Sequence, residues 1–149
     1  MSTLAESPEF LSRMKQAFFA RVPHAQALGM AMEKVGSDFV LASLPYQPYL
    51  LADIERRIIH TGVVTTLIDT VSGAALLARL RKPDLIATLD LRVDYLRAPR
   101  ADLTLWCRAE CTRVTDSIAF VRSRVWQASE QEPVAESLAS FMRSARKAP

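Results

Sequence analysis

Between Thr61 and Ala78 the chain reads TGVVTTLIDTVSGAALLA, eighteen residues of which Asp69 alone can ionise. An ionised carboxylate in an apolar helix costs several kcal/mol unless something compensates it. A structural partner within the fold would compensate it, and so would a place in a catalytic cleft. The setting favours the cleft. By the i, i+3, i+4 rule Thr61, Thr65, Asp69, Ser72 and Gly73 share one helical stripe, and every residue on it is polar or small. At the start of the same helix the free N–H groups around Thr61 and Gly62 form an electrophilic site able to polarise a carbonyl.

The two features cannot serve one reacting carbon from within a single helix. Asp69 lies eight residues beyond Thr61, or about 12 Å along the axis, whereas each group must stand about 3 Å from its target. Antiparallel packing of two copies of the helix would bring the Asp69 of one chain towards Thr61 and Gly62 of the other. The spacing therefore predicts a functional homodimer.

The elements that position these residues follow from periodicity. Phe10, Leu11, Met14, Ala17 and Phe18 recur at helical spacing, so an N-terminal amphipathic helix is expected over about residues 8–22, closed by Pro23. Residues 30–44 suggest a hairpin turning at Gly36-Ser37-Asp38, and 46–59 a long loop whose bulky Tyr46, Tyr49, Leu50, Leu51 and Ile54 suit an apolar pocket. The apolar helix follows, with Arg79, Arg81 and Lys82 at its C-terminal end. It is long enough to span a membrane, but four threonines, a serine, two glycines and a central aspartate make it a poor span, and no membrane is expected.

After Pro83 the period changes to two. Leu85, Ala87, Leu89, Leu91, Val93 and Tyr95 alternate with Ile86, Thr88, Asp90, Arg92 and Asp94, which puts Thr88 on the polar face. Further strands are expected from Ala101 to Cys111, from Ile118 to Gln127 and from Val134 to Met142, joined by short turns and so antiparallel. The class is α+β, an antiparallel sheet wrapped around a long central helix in a single domain.

Composition bounds the rest. A chain of 149 residues with half of them hydrophobic supports one core. The start MSTLAESPEF has neither the basic nor the apolar run of a secretory signal, so a cytoplasmic home is expected. A net charge of +3 suits an anionic ligand, yet the basic residues are dispersed without an aromatic-basic motif, so nucleic acid is not an expected partner. Cys107 and Cys111 lie four apart on one strand, about 13 Å by backbone rise and too far for a disulfide. Neither histidine is near them in sequence, so no metal is expected and both read as reduced core residues.

His60-Thr61-Gly62, Asp69 nine residues after the histidine, Gly73, and the strand ATLDLRVDYLRAP from Ala87 to Pro99 together resemble the PaaI-like (phenylacetate-degradation type) thioesterases of the hotdog fold. The resemblance covers about residues 29–141. It implies a single hotdog domain with an extra N-terminal helix, a core over about 29–144, and hydrolysis of an acyl-CoA thioester with coenzyme A entering only as part of the substrate. It gives the amide of Thr61 or Gly62 the carbonyl, Asp69 the role of nucleophile or general base, and the Thr88 hydroxyl the attacking water. His60 is expected to tie the turn rather than carry a proton. Arg97 and Arg100 fall where the family holds the nucleotide end of coenzyme A, and the assembly implied is a homodimer or a dimer of dimers.

Two positions depart from the family pattern. Thr61 stands where glycine is usual, which keeps the amide but adds a side chain. The loop asparagine six or seven residues before the histidine is replaced by Asp53 and Ile54, of which only Asp53 can hydrogen-bond. These departures lend weight to an alternative, a non-catalytic acyl-CoA binder or sensor on the same fold. A hydratase is disfavoured because no Asn-Pro-x-His-x-Asp run is present.

Overall fold

The computed structural model describes residues 8–82 and 84–144. In chain order it contains α1 (Pro8–Ala17), a 3-10 turn (Phe19–Arg21), α2 (Pro23–Leu28), β1 (Ala31–Val35), β2 (Phe39–Leu44), a 3-10 turn (Pro48–Leu50), β3 (Leu51–Asp53), β4 (Ile58–Ile59), α3 (Thr61–Leu80), β5 (Leu85–Tyr95), β6 (Leu105–Val114), β7 (Ile118–Trp126) and β8 (Ala135–Ser144). The single N-terminal helix expected over about 8–22 is instead two pieces, α1 and a 3-10 turn, and a further helix α2 follows them. Pro23 opens α2 rather than closing α1, because a proline at the first helical position gives up an N–H that has no partner there anyway. Gly29 ends α2 at φ 78, a backbone shape that costs glycine nothing.

Six strands form one antiparallel sheet in the order β1-β2-β6-β7-β8-β5. The hairpin β1–β2 and the meander β6–β7–β8 lie where the alternation put them. The connection from β5 to β6 does not. It is no short turn between neighbours: β5 pairs with β8 at one edge while β6 pairs with β2 and β7 in the middle of the sheet. The strand expected from Ala101 begins only at Leu105, since the intervening residues are held elsewhere. Ile59 N donates to Pro99 O at 2.9 Å and Ala101 N to Arg57 O at 2.9 Å. The segment 46–59, expected as a loop, carries the two-stranded β3–β4 ribbon that these bonds brace.

Helix α3 packs on one face of the sheet, chiefly against β6, β2 and β7. Val64, Leu67, Ile68, Val71, Ala74, Ala75, Leu76 and Ala78 are fully buried against Val40, Ala42, Leu44, Leu105, Cys107, Ala109, Val121 and Val125. Each large aliphatic side chain buried this way contributes about 1.5–3 kcal/mol. The alanines on β2 and β6 let the helix approach closely. Its length and composition would also pass for a membrane span, but its apolar faces are the ones turned into the fold. The residues of its first half that are not buried are Thr61, Gly62, Thr65, Thr66, Asp69 and Thr70, all small or polar.

Candidate active site

The start of α3 is a built structure. His60 is the N-cap, with φ −60 and ψ 128, and its Nδ1 accepts from Gly62 N at 2.8 Å. In that bond Nδ1 is the acceptor, and the ring ties the turn that opens α3. Val63 N donates to His60 O at 3.0 Å. Of the two candidate donors at Thr61 and Gly62, the Gly62 amide is thus taken by the cap. The Thr61 amide has no acceptor among the described residues and is the N–H left for a carbonyl oxygen. The cap is held in place from both sides, because His60 N donates to Leu50 O at 2.8 Å and the neighbouring Ile59 N to Pro99 O.

Asp69 lies half-buried further along the same helical stripe, and its Oδ1 accepts from Thr88 Oγ1 at 2.8 Å. This contradicts the placement of Thr88 on the outer face with Asp90 and Arg92. The cause is a β-bulge: Thr88 pairs with Phe141 and Asp90 with Ser140, so Leu89 is an extra residue and the side-chain parity reverses across it. Before the bulge Ile86 and Thr88 face the helix, and after it Leu91 and Val93 do, all three apolar residues packing on the core. Leu85 and Leu89, expected inside, are 66% and 55% exposed. Bulges often re-aim side chains beside functional sites, and this one delivers a hydroxyl to the carboxylate.

The stripe on α3 divides. Thr61, Thr65 and Asp69 remain accessible, and Thr65 Oγ1 bonds the Tyr95 hydroxyl at the end of β5. Ser72 is buried and shares a 2.8 Å hydrogen bond with Ser123 of β7. Gly73 is buried where an added Cβ would stand 3.4 Å from Ile86 Cδ1, so a larger side chain would press on β5. Tyr95 was read as a core-face residue from its place in the alternation. Its only signal of another role is a hydroxyl at a strand end, which periodicity does not register.

The expected binding residues are dispersed, the polar ones each held by a different partner. Asp53 accepts from Arg56 N at 2.8 Å and caps its own turn, and Ile54 at the tip of that turn is 79% exposed. Arg97 pairs with Glu132 at 3.6 Å. Arg100 has its backbone clamped by Gln127, which accepts from Arg100 N at 2.8 Å and donates to Arg100 O at 2.7 Å, leaving the side chain exposed beside the β4 end of the cap. Arg57 is engaged by Asp102 at 2.5 Å, and that partner holds its pKa above the ordinary value. The bulky loop residues do not converge on one pocket: Leu50 belongs to the core and Tyr49 donates to Ala27 O at 2.8 Å.

Cys107 and Cys111 are both buried and free, and burial pushes both thiols up, which keeps them protonated and unreactive. Among the described residues no three His, Cys, Asp or Glu side chains group closely enough to hold a metal.

A long helix packed on a six-stranded antiparallel sheet, with a short helix ahead of it, is the architecture of the hotdog fold. The profile of the thioesterase superfamily matches residues 57–134, from the β3–β4 turn to the start of β8, and the chain belongs to that family. Among characterised relatives, the medium/long-chain acyl-CoA thioesterase YigI of Escherichia coli K12 is 25% identical over 155 aligned positions, covering 95% of this chain and 99% of that one. Among solved structures, a Pseudomonas aeruginosa protein is 31% identical with a TM-score of 0.80, covering 90% of this chain and 98% of its own. The PaaI protein of the E. coli phenylacetic acid degradation operon shares the fold, with a TM-score of 0.80 at 18% identity over 92% of this chain and 95% of that one.

Proposed function

We propose that the protein hydrolyses acyl-CoA thioesters, in a site shared between two subunits, with Asp69 of one chain acting on a carbonyl held by the Thr61 amide of the other. The acyl-CoA class follows the E. coli relative, whose name also directs attention to medium and long acyl chains. The observation that carries the reading is the Thr88–Asp69 bond at 2.8 Å on the open half of the α3 stripe. It fixes one carboxylate oxygen and leaves the second without a hydrogen-bond partner among the described residues.

In the reaction the Thr61 N–H stabilises the oxygen as it gains charge. Asp69 either takes a proton from water, whose hydroxyl adds to the acyl carbon, or adds to that carbon itself and is released by water in a second step. In both routes the C–S bond breaks, the acid leaves and the coenzyme A sulfur takes up a proton. Arg100, whose side chain is exposed near the cap, is the basic residue best placed for a phosphate of the substrate.

The dimer has a second support. Strand β5 is eleven residues long and pairs with β8 on one side only, so its other edge offers unpaired backbone groups together with exposed Leu85 and Leu89. Long apolar edges are seldom left open. A second copy pairing along β5 would extend the sheet and bring the two α3 helices together on one face. Two such dimers joining would give the tetramer.

Release of free thiol from a ladder of acyl-CoA chain lengths tests the proposal. Wild type is expected to turn over, and Asp69→Asn to lose about a thousandfold in kcat with its circular dichroism unchanged. Turnover untouched by the substitution would remove Asp69 from the reaction, and binding without turnover in the wild type would favour the sensor reading.

A further inference from the structure

The hydroxyl pair Thr65–Tyr95 is used by no step above, yet it lies between the two groups that perform the chemistry. Thr65 is four residues from Thr61 and four from Asp69 on the same stripe. If two antiparallel α3 helices related by a two-fold axis set Thr61 opposite the partner's Asp69, the position midway between them faces its own copy. We infer that Thr65 and Tyr95 mark the two-fold axis of the active dimer and pin its register, acting as positioning residues for both sites. This rests on the shared-site reading above.

Proton accounting supports a partner for the pair. Thr65 Oγ1 lies 3.3 Å from Thr61 O and in hydrogen-bond contact with the Tyr95 hydroxyl. Two hydroxyls bring two protons. When Thr65 donates to Thr61 O, Tyr95 donates to Thr65 and its own oxygen is left to accept. When Thr65 donates to Tyr95, the tyrosine proton is left to give. Two copies meeting at an axis complete each other, because each threonine can donate to its own tyrosine and each tyrosine to the partner's threonine, closing a ring of four hydroxyls. The pair is open for this: Tyr95 is 46% exposed and Thr65 half-exposed.

The face around it admits a close second copy. Thr61, Gly62, Thr65, Thr66, Asp69 and Thr70 are the residues α3 leaves uncovered in its first half, none with a bulky side chain. An all-small face alone would let antiparallel helices slide by a turn, about 5.4 Å. Such a slip would separate the carboxylate from the amide it serves. A hydroxyl ring at the axis removes that freedom.

Tyr95→Phe and Thr65→Val are each expected to lower kcat about tenfold through misplacement, with KM and the dimer mass by light scattering unchanged. Thr65→Ser, which keeps the hydroxyl, should retain activity, and the double variant should fall no further than either single one. With a short bis-maleimide, Thr65→Cys is expected to give covalent dimers on its own, while Thr61→Cys and Asp69→Cys give them only when mixed. Wild type, whose two cysteines are buried, should give none. Wild-type kcat in Tyr95→Phe, or no self-cross-link at position 65 while 61 and 69 still cross-link, would overturn the pin and leave the shared site standing. Absence of the 61–69 cross-link as well would sink both.

Discussion

The two halves of the α3 stripe are built from similar residues and do different work. In the first half Thr61, Thr65 and Asp69 stay open, and β5 meets them with Thr88 and Tyr95, one on each side of the Leu89 bulge. In the second half Ser72 and Gly73 are sealed, the serine against Ser123 and the glycine against Ile86. Small polar residues along a helix thus make either a cleft or a close packing contact. Which of the two results is decided by the strand opposite. At Asp69 the strand supplies a hydroxyl and leaves the carboxylate partly exposed, and at Gly73 it supplies an isoleucine within contact distance of an added Cβ.

Substitutions on either side of this division separate the two roles. After the loss expected for Asp69→Asn, the largest effect is expected from Thr61→Pro. Thr61 is the first residue of α3 and the preceding His60 already has an extended backbone, so proline fits there and removes only the N–H and the side chain. A loss of about a hundredfold in kcat is expected, against near wild-type activity for Thr61→Ala, which keeps the amide. Equal activity in the two would relieve the Thr61 amide of its role. A smaller loss, on the order of tenfold, is expected from Thr88→Val, since a hydrogen bond to a carboxylate is removed while the carboxylate stays. Steady-state kinetics with a single acyl-CoA measures both. Ser72→Ala belongs to the sealed half. It should cost about 1 kcal/mol of stability by leaving Ser123 without its partner, a fall in Tm of about 2–4 °C, with kcat unchanged. A fall in kcat without a fall in Tm would mean that the sealed half reaches the chemistry.

The helix was legible in the sequence because its signal is redundant. Its length, its apolar faces, the lone Asp69 and the His60-Thr61-Gly62 start all point to one element, and the 61–80 helix lies where they place it. The hairpin and the last two strands were legible for the same reason. Strand β5 carried the clearest alternation in the chain and was read correctly only beyond its bulge. A period-two pattern cannot reveal an extra residue, because Leu89 continues the apolar series while the backbone reverses its faces. The β5–β6 crossover was equally hidden, since it depends on bonds from Ile59 and Ala101 to residues distant in sequence. In the candidate site Asp69 and the helix start at Thr61 and Gly62 stand out from residue type and spacing alone. The division of labour between Thr61 and Gly62 does not, because it rests on which way a histidine ring turns.

The central claim is that one chain's carboxylate serves its neighbour's amide, and subunit complementation tests it most directly. Asp69→Ala and Thr61→Pro are each expected to be nearly inactive as purified dimers. When the two are mixed under conditions that exchange subunits, each mixed dimer regains one intact site, formed by the Thr61 amide of the first variant and the Asp69 of the second. Recovery of about a quarter of wild-type activity is predicted for random exchange. Verified exchange with no recovered activity would contradict the account and return both groups to a single chain.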